Sequence, residues 1–198
     1  MTKFECEVRF RIPNIHEFMN KLKTLNATVQ YSYEFTDHYY QPLMTTPWDP
    51  LTQTLRLRQW KKKGNEQIQC EILFTKIEIL SHNGLLFKRA IYPKSKIQLV
   101  QNSFQTCQSI LNDLGFKPWF RIEKRQCKLY EIQNPQLITN HEHIKNLGWY
   151  GEVEVEGSNL DLAASSLKTY LSILKINKTQ ISHKPLARIY AEKRGIIK

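Results

Sequence analysis

Two short segments far apart in the sequence share an alternating pattern that limits how the chain can fold. FECEVRF, residues 4–10, and GEVEVEG, residues 151–157, each alternate apolar or small residues with charged ones. A period of two is that of a β-strand, whose successive side chains point to opposite faces. Both segments carry glutamates two positions apart. Each therefore predicts a strand with a row of carboxylates along one face.

The rest of the chain alternates between predicted strands and helices without a repeat or a linker. Asn14 and Glu17 fit a capping box that begins a first helix. Further helices are predicted over 97–114, 160–175 and 185–194. Strands are predicted over 3–12, 34–41, 53–61, 67–76, 85–92, 119–130, 136–139 and 149–156. This order predicts an α+β fold with an antiparallel sheet, in one domain that spans residues 1–198.

Composition narrows the classes of partner and compartment. The net charge of +11 favours a polyanionic partner, either a nucleic acid, an acidic membrane surface or a small polyanion. No apolar run approaches the roughly 18 residues needed to cross a bilayer, and the first residues show no apolar secretory core. None of the four cysteines forms a CxxC pair, so free thiols in a reducing compartment are expected. We therefore expect a cytoplasmic protein, a monomer with no membrane association.

Charged residues at a period of two recur on several predicted strands. On a single strand this pattern usually marks a solvated face. Here, however, Arg56 and Arg58 stand in LRLR, and the segment FRIEKRQ adds alternating charges around Glu123. Repeated acidic pairs and basic pairs are explained if the sheet closes and the charges converge inside it. Such an interior would hold a divalent cation on carboxylates and phosphate oxygens on arginines.

Several ordered motifs resemble the CYTH, or triphosphate tunnel metalloenzyme, family. The family signature E-x-E-x-K is matched by Glu5, Glu7 and Arg9, and its L-R-x-R strand by residues 55–58. D-x-Y-Y is matched at residues 37–40, and HEHIKNLGWYGEVE, residues 141–154, resembles the family's second acidic stretch. The segments KRQCKLY and KPLARIYAEKR look most like thiamine triphosphatases. The resemblance covers nearly all of residues 3–194.

The resemblance implies a closed eight-stranded antiparallel β-barrel, open as a basic tunnel, with helices packed outside. It implies that Mg²⁺ or Mn²⁺ binds to the acidic residues Glu5, Glu7, Glu142, Glu152 and Glu154. It also implies that substrate phosphates are held by Arg9, Arg56, Arg58, Lys76, Lys124, Arg125 and Lys184. Glu5, Glu7 and Lys76 are the residues expected to take part in catalysis.

Three functions follow as alternatives. The first is metal-dependent hydrolysis of thiamine triphosphate, inorganic triphosphate or a nucleoside triphosphate. Animal thiamine triphosphatases are expected to carry an aromatic residue just before LRLR, where this chain has Thr54, so the substrate stays open. The second is a class IV adenylate cyclase that forms cyclic AMP and pyrophosphate. The third is non-catalytic binding of a phosphorylated ligand. An acidic interior would weaken RNA binding, so a nucleic acid partner is not expected.

Overall fold

The computed structural model describes residues 4–44, 48–49, 52–61, 68–92, 96–133 and 136–197. Within these residues the strands are β1 (Phe4–Arg11), β2 (Thr28–Pro42), β3 (Gln53–Lys61), β4 (Ile68–His82), β5 (Leu85–Ala90), β6 (Ile97–Asn102), β7 (Phe116–Gln133), β8 (Gln136–Ile144), β9 (Gly148–Gly157) and β10 (Ile181–Ser182). The helices are α1 (Ile15–Thr24), α2 (Phe104–Asp113), α3 (Leu160–Ile173) and α4 (Leu186–Lys193). None of these helices is long and apolar enough to span a bilayer.

Eight of the strands close into an antiparallel barrel. Their order around the barrel is β1, β5, β4, β3, β2, β7, β8 and β9, and β9 pairs with β1 to close the ring. The closing pair extends from Phe4 opposite Gly157 to Arg11 opposite Tyr150. Strands β6 and β10 add to the outside of this ring by pairing with β4 and β1. The predicted eight-stranded barrel is confirmed. The segments FECEVRF and GEVEVEG lie on neighbouring strands, β1 and β9.

One glycine is required where this closing pair forms. Gly151 on β9 lies opposite Phe10 on β1. A Cβ atom at position 151 would stand 2.5 Å from the ring of Phe10 and 2.7 Å from the carbonyl oxygen of Asn140. Real Cβ atoms do not approach other atoms so closely, and neither the packed ring nor the strand backbone can give way easily. Gly151 therefore lets β1, β8 and β9 pack tightly just before the acidic pair of β9.

The barrel places its apolar strand faces outside and its charged faces inside. On β1 the side chains of Cys6, Val8 and Phe10 pack against α1 and α3, in a core that includes Leu22 and Leu167. On the other side of the barrel, residues of β3 and β4 pack against Cys107 and Leu111 of α2. Because alternate residues point in opposite directions, this packing turns the charged residues of the same strands into the barrel.

The predicted helix over 97–114 is wrong in its first third. Residues 97–102 form β6, which pairs with β4 from Phe74 opposite Ile97 to Cys70 opposite Asn102. Helix α2 begins only after Ser103, whose hydroxyl oxygen accepts a hydrogen bond from the Thr106 amide at 3.2 Å. Apolar residues have the same spacing in β6 and in α2, so this spacing could not show that the helix begins at the Ser103 cap.

Helix α4 packs against one end of the barrel interior. Its residues Leu186, Ala187 and Tyr190 form a buried cluster with inward-facing residues of β2, β7, β8 and β9. Three consecutive residues, Pro185 to Ala187, also line the interior cavity. The region after β10 therefore covers one end of the barrel.

Candidate active site

The barrel encloses a cavity of about 620 Å³ that all eight strands help to line. Six of the described lining residues are basic: Arg9, Arg56, Arg58, Lys88, Lys96 and Lys124. Eight are acidic: Glu5, Glu7, Glu34, Asp37, Glu71, Glu142, Glu152 and Glu154. The expectation of a basic tunnel is therefore wrong for the described lining. The physical reason is that buried cations need partners, and carboxylates supply them.

Two of the carboxylates, Glu142 and Glu152, are held in buried ion pairs. The Lys124 ammonium donates to both carboxylate oxygens of Glu142 at 2.7 Å, and the hydroxyl of Tyr33 donates to the same carboxylate at 2.9 Å. The guanidinium of Arg9 lies between the two glutamates, 3.4 Å from Glu142 and in direct contact with Glu152. We call Glu142 and Glu152 the paired carboxylates.

The pairing outweighs the cost of burial for both groups. Burial alone would raise the pKa of Glu152, but the charges of Arg9, Lys88 and Lys124 bring it below its ordinary range. The pKa of Glu142 is also lowered, since Lys124 and Arg9 oppose the effects of burial and of the neighbouring Glu152 charge. Both groups are therefore ionised at neutral pH.

Three other carboxylates, Glu5, Glu7 and Glu154, converge on one another. One oxygen from each lies within 4.8 Å of the other two. Burial, followed by the charges of Glu5, Glu152 and Glu7, raises the pKa of Glu154 to about 8. Glu7 also contacts the ammonium of Lys88, which lies 3.9 Å from Glu152 and so stands between the two groups. We call Glu5, Glu7 and Glu154 the clustered carboxylates.

The clustered carboxylates have the donor chemistry of a site for a hard divalent cation. All three offer oxygen atoms, which Mg²⁺ and Mn²⁺ prefer over nitrogen or sulfur. Burial first, and then the charges of Glu5, Glu152 and Glu7, raise the pKa of Glu154, and a bound cation would offset both effects on its charged form. The chain's own residues therefore fit the metal that the resemblance implied.

A separate set of side chains fixes two arginines on β3. Asp37 on β2 accepts two hydrogen bonds from Arg58, at 2.7 and 2.8 Å, and lies 3.6 Å from Arg56. Although burial acts to raise the pKa of Asp37, these arginines lower it to about 2. The guanidinium carbon of Arg58 also lies 3.6 Å from the centre of the Phe35 ring. These contacts with Asp37 and Phe35 hold the guanidinium plane of Arg58 in one orientation.

The structure does not bring every sequence-predicted residue into this cavity. Lys76 does not line it; the lining positions on either side, Thr75 and Ile77, alternate with Lys76 along β4. Arg125 has 61% of its side chain exposed and pairs with Glu123 on the outer face of β7. Lys184 has 54% of its side chain exposed and pairs with Glu192 of α4. The other predicted residues, namely Glu5, Glu7, Arg9, Arg56, Arg58, Lys124, Glu142, Glu152 and Glu154, all line the cavity.

Lys88 and Lys96 line the cavity but were not predicted. Lys88 is adjacent to Arg89 in the sequence, and alternation alone does not show which of two neighbouring cations points inward. Lys88 lies directly opposite Glu7 in the β1–β5 pair, which decides its direction. The signal that could have found it is the acidic partner on β1, but only once the strand order is known.

Comparison with known proteins finds the same fold at low sequence identity. PH1819 from Pyrococcus horikoshii is 16% identical, with a TM-score of 0.72 over 96% of this chain and 99% of that one. A protein from Vibrio parahaemolyticus, described as a proposed adenylate cyclase, is 14% identical with a TM-score of 0.66, over 96% and 99% of the two chains. HpAC1 from Hippeastrum, described as a proposed adenylyl cyclase with a dominant triphosphatase activity, is 12% identical with a TM-score of 0.59, over 98% and 96%.

This chain has the tunnel fold. The resemblance seen in the motifs is borne out at the level of the barrel, and it holds over nearly the whole length of each compared chain. No protein-family model and no curated protein matches the sequence.

Proposed function

We propose that this chain is a metal-dependent phosphohydrolase that cleaves a small triphosphate inside its barrel. The observation that carries the proposal is that one cavity contains both the clustered carboxylates and the fixed arginines of β3. A cation site and a phosphate-oxygen site in one enclosed space are what hydrolysis of a metal-chelated triphosphate needs. Proteins of the same fold described as cyclases, one with triphosphatase activity, support the assignment.

On this proposal Glu5, Glu7 and Glu154 hold Mg²⁺ or Mn²⁺. When bound, the ion supplies charge neutralisation and lowers the pKa of a coordinated water. Arg56 and Arg58 bind the phosphate oxygens and stabilise the negative charge on the departing diphosphate. Because Asp37 and Phe35 already hold Arg58 in place, its guanidinium does not have to reorient during the reaction.

The paired carboxylates have a different role in this proposal. Glu142 and Glu152 hold Arg9 and Lys124 in place inside the barrel. Cations kept in fixed positions by internal partners are preorganised for an anion, with little reorganisation when it arrives. We assign no phosphate contact to Arg125, Lys184 or Lys76, because they do not line the cavity.

A panel of triphosphates tests the proposal. Inorganic tripolyphosphate, thiamine triphosphate, ATP and GTP are each incubated with the protein and Mg²⁺ or Mn²⁺, and phosphate, pyrophosphate and cyclic nucleotide are measured. We expect phosphate release that needs the metal, is lost in Glu154→Gln and persists in Asp113→Asn, an exposed residue at the end of α2 that does not line the cavity. Cyclic nucleotide with pyrophosphate would establish a cyclase instead. No turnover of any compound would contradict an enzymatic role.

A further inference from the structure

A row of aromatic side chains on β2 leads from the fixed arginine to one end of the cavity. Phe35 lies against Arg58, Tyr33 stacks on Phe35 with the ring centres 5.7 Å apart and the planes at 11°, and Tyr31 follows at another 5.7 Å. All three residues line the cavity. On the same strand Tyr39 packs with α4, so Tyr31 lies at the end of the row away from that helix.

The three rings differ in how firmly they are engaged. Phe35 has Arg58 and Lys124 over its ring and is stacked with Tyr33. The hydroxyl of Tyr33 donates to Glu142, which anchors that ring in the ion-pair network. Tyr31, in contrast, is 56% exposed although it lines the cavity. An exposed aromatic surface at the edge of a polar cavity is available for stacking.

Apolar side chains on the two neighbouring strands continue this surface. Leu129 on β7 lies directly opposite Tyr31, and Ile138 on β8 is two residues along the strand from Asn140, which lies opposite Leu129. Both line the cavity, and Ile138 is 39% exposed. Ile138 is also directly opposite Glu154 of the clustered carboxylates. The apolar surface formed by Tyr31, Leu129 and Ile138, which we call the mouth surface, therefore borders the proposed metal site.

We propose that the mouth surface binds a planar ring of the substrate, so that the substrate is a ring-bearing triphosphate and not inorganic tripolyphosphate. This inference rests on the proposed function. Tripolyphosphate has no apolar part and would leave the mouth surface in contact with water, whereas a thiazole, pyrimidine or purine ring would stack on Tyr31. Two steps of 5.7 Å between ring centres separate Tyr31 from Phe35, and this places a ring on Tyr31 apart from the phosphates bound near Arg58.

The mouth surface is a different ring site from the one that the sequence suggested. An aromatic residue just before LRLR was the expected stacking partner, and Thr54 at that position lines the cavity as a small polar residue. The ring is supplied instead by β2, the strand that pairs directly with β3. Position 31 could not be chosen from sequence, because Tyr31 and Tyr33 alternate alike and only the structure shows which is exposed.

The test compares Tyr31→Ala with the wild-type chain on ring-bearing and ring-free substrates. We expect kcat/KM for the best of thiamine triphosphate, ATP and GTP to fall roughly tenfold or more, as for loss of one stacked ring, with kcat/KM for tripolyphosphate unchanged. Tyr31→Phe should retain the wild-type ratio. Val29→Ala is the matched control, because Val29 is equally exposed on the same strand and does not line the cavity.

The outcomes separate this inference from the proposed function. If tripolyphosphate is hydrolysed as well as every ring-bearing substrate, or if Tyr31→Ala lowers both alike, the ring site is wrong and the hydrolase stands. If nothing is hydrolysed, the proposed hydrolase is wrong. The ring site is then tested by calorimetry, which compares the dissociation constants of the ring-bearing triphosphates with that of tripolyphosphate in the presence of Mg²⁺. Equal binding of all compounds by the wild-type chain would then overturn it.

Discussion

The paired and the clustered carboxylates occupy the same cavity, yet their surroundings differ. Glu142 and Glu152 each contact a buried cation, and their pKa values are lowered. Glu154 faces Glu5 and Glu7, and its pKa is raised to about 8. Glu142 and Glu152 thus face buried cations, whereas Glu154 faces other carboxylates. On the proposed function, the first group supports the cations of the barrel and the second group binds the metal.

Strand register produces this difference. In the β1–β9 pair, Glu152 lies opposite Arg9, whereas Glu154 lies opposite Glu7. A shift of two residues would exchange the two environments without moving any side chain to the other face. The charge that a carboxylate on β9 faces is therefore set by its partner across the strand, not by its own sequence motif.

The largest effect is expected when a paired carboxylate loses its charge. Glu142→Gln leaves Lys124 buried beside Arg9 without its main partner, so the free energy of unfolding should fall by about 3 kcal/mol or more. Glu154 must take up a proton on folding at pH 7, and Glu154→Gln removes that cost, so this variant should have unchanged or increased stability in metal-free buffer. Urea unfolding of both variants measures this. Equal loss in the two would contradict the distinction.

Replacing Lys88 tests how far this residue reduces the negative charge of the clustered carboxylates. Its ammonium contacts Glu7 and lies near Glu152, so it neutralises part of the clustered group. Lys88→Met should strengthen Mn²⁺ binding roughly tenfold, because the repulsion between a cation and the ammonium is removed. Calorimetric titration with Mn²⁺ checks this, with the exposed Lys168→Met as control. Weaker or unchanged binding would mean that Lys88 does not border the metal site.

The third prediction concerns pH in metal-free buffer. Glu154 has a pKa of about 8 in the folded chain and about 4.5 in the unfolded one, so the folded chain binds the extra proton between these values. That contribution to stability is present at low pH and is lost as the pH rises through about 8. His141 acts in the opposite sense, because its folded pKa is lowered to about 4, but it is largely deprotonated in both states above about pH 7.

Thermal unfolding is measured between about pH 7 and pH 9 in the presence of a chelator. The buried cysteines, whose thiol pKa values are raised, also lower stability over this range, so the difference between the wild-type chain and Glu154→Gln isolates the Glu154 contribution. We expect the midpoint of the wild-type chain to decrease over this range more than that of Glu154→Gln. Added Mg²⁺ should reverse the decrease only in the wild-type chain. Parallel curves for the two proteins would show that Glu154 does not titrate in this window.

The smallest effects are expected for the cations outside the cavity. Arg125→Ala and Lys184→Ala each remove an exposed ion pair, which is worth less than about 1 kcal/mol. Because neither residue lines the cavity, KM for the triphosphate should stay within about twofold of the wild-type value. Steady-state kinetics with Arg58→Lys as the positive control provides the comparison. A large rise in KM for either alanine variant would place that residue at the substrate.

Much of the fold could be predicted from residue patterns within short segments of the sequence. Strict alternation in β1 and β9 identified the strands, and convergence of their charges on one face indicated a closed sheet. The apolar spacing of α3 and the Pro185 start of α4 located two helices near their observed bounds. These features depend on neighbours within a few residues, which the sequence displays directly.

The part that could not be predicted depends on contacts between distant residues. Glu152 and Glu154 are indistinguishable in GEVEVEG, and only pairing with β1, more than 140 residues away, separates them. Residues 97–102 share the apolar spacing of α2 and became a strand because β4 offers them an edge. Lys88 faces the cavity through a register that its own segment does not encode.

Direct titration with Mn²⁺ tests the central claim most simply. The wild-type chain, Glu154→Gln, Glu142→Gln and the exposed control Asp113→Asn are compared by calorimetry at a temperature at which every variant is folded. We predict that Glu154→Gln weakens Mn²⁺ binding about a hundredfold or more, while Glu142→Gln and Asp113→Asn bind within a few-fold of the wild-type chain. Loss of binding in Glu142→Gln with retention in Glu154→Gln would place the metal on the paired carboxylates and contradict the assignment.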